Sequence, residues 1–296
     1  MLADLHRHLD GSLRPSTVAE LAAGLNLPVP PDLAFSPGMG LAAALARFSF
    51  TLSLLQSPAT VRRIAREMCE DAAEDGVDLL EIRFAPQLHS GRIEEVIDAA
   101  MEGAEARAGI ILCGLYGENP AVLDALVGAA ATRPGVVGID LAGGPAPFHA
   151  HHLTDYAPAF RRAADLGLGR TVHAGEGRPP EEIRVAIEVL GAQRIGHGTT
   201  LLDDASVVDL VLNRGVTIEA CPTSNMHTGV IPSVAAHPLG EWMSRGVRAV
   251  VCTDNTLLSA VTLTEELRRV AEIPDLPPDA LAQLQRNARA ARFVRA

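Results

Sequence analysis

The chemistry of this chain begins at His6-Arg7-His8. Alternate side chains of a β-strand share a face, so an extended run at residues 2–9 projects His6 and His8 together from its end. Two imidazoles held by a rigid strand are half of a metal site. Further polar residues recur behind later apolar runs: Asp140 with Gly143-Gly144 after it, His173-Ala174-Gly175-Glu176, His197, and Asp254-Asn255. Each alone has an ordinary explanation. A histidine at a strand end caps or meets solvent, Glu176 is solvated, and Asp254-Asn255 cap the next helix. Their joint placement at strand ends argues for a site. His89, His149, His151, His152, His227 and His237 lack that placement; the 149–152 cluster lies in a loop flanked by proline and glycine.

Three imidazoles and one carboxylate, His6, His8, His173 and Asp254, form a ligand set suited to one Zn2+ ion per chain. Water in the shell of such an ion loses a proton near neutral pH and becomes a nucleophile. Glu176, three residues beyond a ligand, suits proton exchange with a substrate. His197 suits orienting the water. Every basic side chain apart from histidine is arginine. The absence of lysine excludes Schiff-base catalysis and a two-metal site bridged by a modified lysine. Neither a nucleophile elbow nor a P-loop is present.

The elements that must position these residues alternate in type. Apolar runs at 2–9, 77–84, 109–115, 136–141, 170–173, 194–196, 216–220 and 247–253 read as strands. Stretches at 61–73, 93–107, 155–166, 180–190, 205–213 and 239–244 have helical periodicity. The alternation implies a parallel sheet, and eight strands fit an α/β chain folded as a (β/α)8 TIM barrel. The alternative, an open doubly wound sheet, lacks a GxGxxG after an early strand. Residues 11–60, with a proline-rich part at 28–37 and an apolar run at 41–55, interrupt the alternation and read as a lid or a packing helix. Residues 263–294 read as closing helices broken at Pro-Asp-Leu-Pro-Pro. The chain at 1–296 thus reads as one barrel domain.

Composition bounds the partners. Of 296 residues 48% are hydrophobic and only 3% aromatic, so aliphatic side chains must build the core. A formal net charge of −11 argues against nucleic acid and anionic membranes, although a local arginine cluster would suffice for a small phosphate ligand. Cys69, Cys113, Cys221 and Cys252 form no CxxC pair, so reduced cysteines and a cytoplasmic setting are expected. No signal peptide or membrane span is evident. Oligomeric state is not encoded in any visible pattern.

Several blocks carry a resemblance. His-Arg-His-Leu-Asp-Gly at 6–11, Ile-Asp-Leu-Ala-Gly at 139–143 and Thr-Val-His-Ala-Gly-Glu at 171–176 resemble the adenosine deaminase family. So do Arg-Ile-Gly-His-Gly-Thr at 194–199, Pro-Thr-Ser-Asn at 222–225 and Thr-Asp-Asn at 253–255. The blocks keep the family's order from residue 2 to about residue 260. The resemblance implies an amidohydrolase-type barrel, one zinc ion and hydrolytic loss of ammonia from a 6-aminopurine nucleoside. It maps His6, His8, His173 and Asp254 onto the zinc ligands. Glu176 matches the acid that protonates purine N1, and His197 the histidine beside the attacking water. Asp254 also matches the acceptor of a hydrogen bond from that water. On the substrate side it implies roles for His8, for Gly143 as backbone donor to N3, and for Asp10 at the ribose hydroxyl.

Three features depart from the family pattern. Asn255 stands where many members carry a second aspartate facing N7; an amide donates to N7 directly, whereas a carboxyl must first be protonated. Gly144-Pro145 replaces an acidic pair, and the 11–60 insertion is short. The expected reaction is adenosine to inosine plus ammonia. Alternatives are a modified adenine nucleoside such as aminodeoxyfutalosine, a metal-dependent ester or amide hydrolase, and an inactive purine-binding barrel. The last would require loss of Glu176 or of a ligand, and neither is lost. A nucleoside 5′-phosphate would call for arginines at the mouth, which sequence alone does not place.

Overall fold

Eight runs of mostly aliphatic residues form parallel strands in the computed structural model, which describes residues 2–146 and 148–294. They are β1 (Leu2–His8), β2 (Val77–Phe84), β3 (Ala108–Leu115), β4 (Val136–Ala142), β5 (Gly169–Ala174), β6 (Arg194–His197), β7 (Thr217–Ala220) and β8 (Arg248–Val251). Each pairs with the next in sequence order. The ring closes between the chain after β8 and β1: the Asp254 amide donates to the His6 carbonyl at 2.8 Å, and the His8 amide to the Asp254 carbonyl at 2.8 Å. The Thr253 hydroxyl adds a 2.6 Å bond to the Asp4 carboxylate. The expected (β/α)8 barrel is therefore the observed architecture, and the open sheet is excluded.

Helices α1 (Pro15–Gly24), α2 (Leu41–Leu54) and α3 (Pro58–Glu74) precede β2. The remainder are α4 (Ile93–Ala104), α5 (Pro120–Ala130), α6 (Ala157–Asp165), α7 (Glu181–Glu188), α8 (Ala205–Arg214), α9 (Pro222–His227), α10 (Leu239–Ser244), α11 (Leu263–Val270) and α12 (Ala280–Ala291). Local chemistry sets several boundaries. Ser57 and Thr60 form a reciprocal cap on α3 with Pro58 in its first turn, satisfying amides that the helix leaves free. Asp204 caps α8, which stops at Gly215 with φ 63°, a backbone state that glycine adopts without a Cβ clash. The insertion at 11–60 contains α1 and α2. The short α9 was not expected, because its Pro-Thr-Ser-Asn-Met-His sequence shows no helical periodicity.

One apolar cluster lies between sheet and helices, with Ile82, Leu112 and Ile139 of the strands packed among Ile64, Leu126 and Trp242 of the helices. Inside the barrel the residues are different. Glu81 and Arg83 of β2, Thr171 of β5, Arg194 of β6 and Glu219 of β7 alternate with outward apolar residues, and they bind one another across the interior. Buried charges are tolerable only when paired this way. The four cysteines are free and buried. Among the described residues no helix is long and apolar enough to cross a membrane.

Candidate active site

The strand ends bring the expected ligands together at the C-terminal face of the barrel. His8 Nε2 lies 3.3 Å from His6 Nε2 and 3.2 Å from His173 Nε2. Asp254 Oδ1 lies 3.5 Å from His6 Nε2 and 3.4 Å from His8 Nε2. Among the described residues the ligand atoms of His6, His8 and His173 form one group close enough to share an ion, and those of His6, His197 and Asp254 form another, so the cluster around His6 would hold a divalent cation such as zinc. Their protonation agrees. The His6 Nδ1–H donates to Glu219 Oε2 at 2.7 Å, and the His173 Nδ1–H donates to Asp140 at 3.0–3.2 Å. Each Nε2 therefore directs a lone pair inward. Burial holds the His8 imidazole well below its usual pKa and lowers that of His173, keeping both neutral. At His6 burial is outweighed by the Asp254 and Glu219 carboxylates, which hold the imidazole above its usual pKa, and a divalent cation would take the place of that proton between the ligand atoms.

Residues with no role assigned from sequence hold these ligands. Arg83 donates to Asp140 at 2.8 Å and to Glu219 at 3.0 Å, joining the carboxylates behind His173 and His6. Burial alone would raise the Glu219 carboxyl, but the Arg83 and Arg194 guanidiniums outweigh it and hold the group far below its ordinary value. Ser224 donates to Asp254 Oδ2 at 2.5 Å, leaving Oδ1 for the histidines. Arg83 and Glu219 did leave a signal: each is a charged residue inside a strand of a parallel sheet, which is stable only with a buried partner. Ser224 lies in the Pro-Thr-Ser-Asn block of the resemblance, but its partner, 30 residues away, was not visible there.

Asp254 and His197 both have left-handed backbones, φ 62° and 67°. A side chain in that region costs about 1–3 kcal/mol and persists where the surroundings impose it. At Asp254 the closing main-chain bonds to β1 impose it. His197 Nδ1 accepts from the Asn225 amide at 3.0 Å, which leaves Nε2 carrying the proton. Burial keeps this imidazole neutral, well below its usual pKa. His197 thus presents a hydrogen-bond donor toward the centre, and its ring also stands with His6 and Asp254 in a group close enough to share an ion.

Glu176 is buried, with Oε2 3.9 Å from His197 Nε2. Burial, reinforced by the charge of Asp254, pushes its carboxyl up to about 7. A carboxylic acid that keeps its proton near neutrality can give it to a weak base.

Glu176, His8, His173, His197, Ser224, Asp254, Asn255 and Gly143 line one cavity. Leu41, Ala44, Leu45 and Phe48 of α2, with Phe35, form its roof and leave a volume of about 50 Å³. Gly143 has φ 78° and open space where a Cβ would stand. The Asn255 side chain packs against Gly11, where any Cβ would overlap its amide oxygen. Asp10 is buried, with its carboxyl pushed up to about 7, chiefly by burial. Among the described residues its Oδ1 has no hydrogen-bond partner, and Asp10 stands just outside the cavity lining. The 149–152 histidines join no cluster able to hold a metal among the described residues.

A profile of the adenosine deaminase family matches residues 2–296. The chain is 34% identical to the adenosine deaminase of Enterococcus faecalis over 98% of its own length and 91% of the relative's. It is 35% identical to that of Yersinia enterocolitica over 99% of its length and 94% of the relative's. Among solved structures, Arabidopsis ADAL complexed with IMP superposes with a TM-score of 0.87 at 25% identity, covering 99% of this chain and 92% of that one. With the eight-stranded barrel and the converging His-Asp cluster, this near end-to-end match establishes that the chain belongs to the adenosine deaminase family.

Proposed function

We propose that this chain hydrolyses the 6-amino group of adenosine, giving inosine and ammonia, with one zinc ion held by His6, His8, His173 and Asp254. When bound, the ion supplies Lewis acidity that lowers the pKa of water in its shell toward neutrality. The chain's own residues do the rest. C6 of a purine is a poor electrophile until N1 is protonated, and neutral Glu176 is the group that delivers that proton. Asp254 accepts a proton from the attacking water, and the His197 Nε2–H donates to the oxygen as it becomes bonded to C6. Asp254 then returns the water's proton to N6, ammonia leaves as the C6–N6 bond breaks, and the remaining hydroxyl proton passes to Glu176, restoring the acid and leaving the 6-oxo product. Asn255 donates to N7, the Gly143 amide to N3, and Asp10 takes a sugar hydroxyl.

What supports this reading is the convergence of His6, His8, His173 and Asp254 beside a cavity lined by Glu176, whose carboxyl is pushed up to about 7. Helix α2 acts as the lid. Small-molecule pockets are about 300–1,000 Å³, so a cavity of about 50 Å³ admits a nucleoside only when α2 moves outward.

A nucleoside 5′-phosphate is the second reading, and one observation favours it. Arg178 lies beneath the loop after β4, with Nη1 3.4 Å from the position a Cβ on Gly144 would take. Among the described residues that buried nitrogen has no hydrogen-bond partner. Ammonia release from adenosine, deoxyadenosine, adenine, adenosine monophosphate and aminodeoxyfutalosine separates the readings. The proposal predicts the highest kcat/KM for adenosine. A preference for the monophosphate that Arg178→Ala abolishes would move the assignment to the nucleotide. Absence of ammonia release from every compound would refute deamination.

A further inference from the structure

Arginine in this protein is almost always paired. Among the described residues, only Arg161, Arg170, Arg214, Arg248 and Arg292 have no carboxylate within salt-bridge distance. Four of these five line a single cavity of about 510 Å³ whose lining contains no acidic residue. It lies at the opposite end of the barrel from the catalytic residues. Arg170, Arg194, Thr217 and Arg248 stand at or beside the starts of β5, β6, β7 and β8, Arg214 ends α8, and Arg292 follows α12.

The pattern runs against the charge of the molecule. With a formal net charge of −11, carboxylates are in excess, and the other described arginines apart from Arg161 find them. Here the cationic groups surround a concavity and repel one another. Arg170 is half-buried, and its Nε and Nη1 are fixed on the Gly191 and Leu168 carbonyls at 2.9 and 3.1 Å. Its guanidinium is thereby oriented without being neutralised. Arg214, Arg248 and Arg292 are exposed at the rim. Arginine forks match phosphate oxygens in geometry and charge. The volume falls within the range of small-molecule pockets, about 300–1,000 Å³.

We propose that this floor cavity binds a phosphorylated small molecule through Arg170, Arg214, Arg248 and Arg292. A small ligand is favoured over a nucleic-acid backbone because the charges enclose a hollow and the rest of the protein is acidic. Arg194 also lines the cavity and contacts Glu219 at 2.7 Å, the carboxylate that holds His6. An occupied floor therefore lies one ion pair from the carboxylate behind a metal ligand.

Calorimetric titration at fixed ionic strength tests the site, with inorganic phosphate, pyrophosphate, GDP and a short DNA duplex as probes. The wild-type protein is expected to bind pyrophosphate, and Arg214→Gln/Arg248→Gln to weaken it at least about tenfold, since a hydrogen bond to a charged group is worth about that much. Both substitutions are exposed, so melting temperature without ligand and ammonia release should be unchanged. Tighter binding of GDP than of pyrophosphate would identify a nucleotide as the ligand, and equal binding a free phosphate. In the wild-type protein, pyrophosphate should slow amide exchange at residues 211–216 and 246–249, a result independent of how the variant folds. No binding of any phosphate probe, binding unaffected by the double substitution, or tighter binding of the duplex than of any small probe would overturn the proposal.

Discussion

Glu176 separates chemistry from metal binding. In the proposed reaction its carboxyl supplies a proton to N1 and holds no metal, and the isosteric amide cannot supply that proton. Glu176→Gln is therefore expected to lower kcat by about 10²–10⁴ while metal content by atomic emission stays at the wild-type level. The sign of the pH dependence follows from the same group. The acid must be protonated to act, so kcat/KM should be level below about 7 and fall as pH rises through about 7; a rate that instead rises with pH across that range would contradict the role. Ser224 tests the support of a ligand. Ser224→Ala leaves Asp254 Oδ2 without its 2.5 Å donor and should weaken metal affinity about 10–100-fold, measured by competition with a chelator. These residues differ in how visible they were. His6 and His8 declare themselves by spacing in a strand and Glu176 by its distance from His173. The neutral state of Glu176 depends on burial, which neighbouring residues in sequence do not reveal.

At the scale of elements, the strands were the most legible part. Parallel strands covered by helices read as short aliphatic runs, and all eight were located with small end errors. At β8 the expected run to residue 253 stops at Val251, because the chain must turn into a left-handed residue at Asp254 to aim its carboxylate. Helix α2 was visible only as an apolar stretch, since its apolar residues serve two surfaces, the core at Ala44 and Leu54 and the cavity at Leu41, Leu45 and Phe48. Its start is marked by Gly38 and Gly40, both at positive φ with open space where a Cβ would stand, a backbone state that glycine adopts freely; the Gly38 amide donates to the Met226 carbonyl at 3.0 Å. If α2 is the lid, hydrogen exchange over residues 38–54 should be fast in the free protein and slow when a purine nucleoside is bound. Exchange that is slow in both states would require another entrance.

The whole molecule joins two opposed faces through a charged interior. Arg83, Glu219 and Arg194 run from the carboxylates behind His6 and His173 down to the arginine-lined floor. None of this network was assembled from sequence, because its members pair across the barrel and their partners lie 57 to 136 residues apart for Arg83 alone. The resemblance to relatives covered the rim and, at the floor, only Arg194 of the 194–199 block. What the network holds in register is one ligand cluster, and the proposed reaction has that cluster taking a single ion. The direct measurement is a zinc titration of chelator-stripped protein, with bound metal and ammonia release from adenosine followed together. Activity that rises in step with bound zinc and saturates at one ion per chain is the predicted result. Full activity in the stripped protein, or activity that appears only with a second ion, would contradict it.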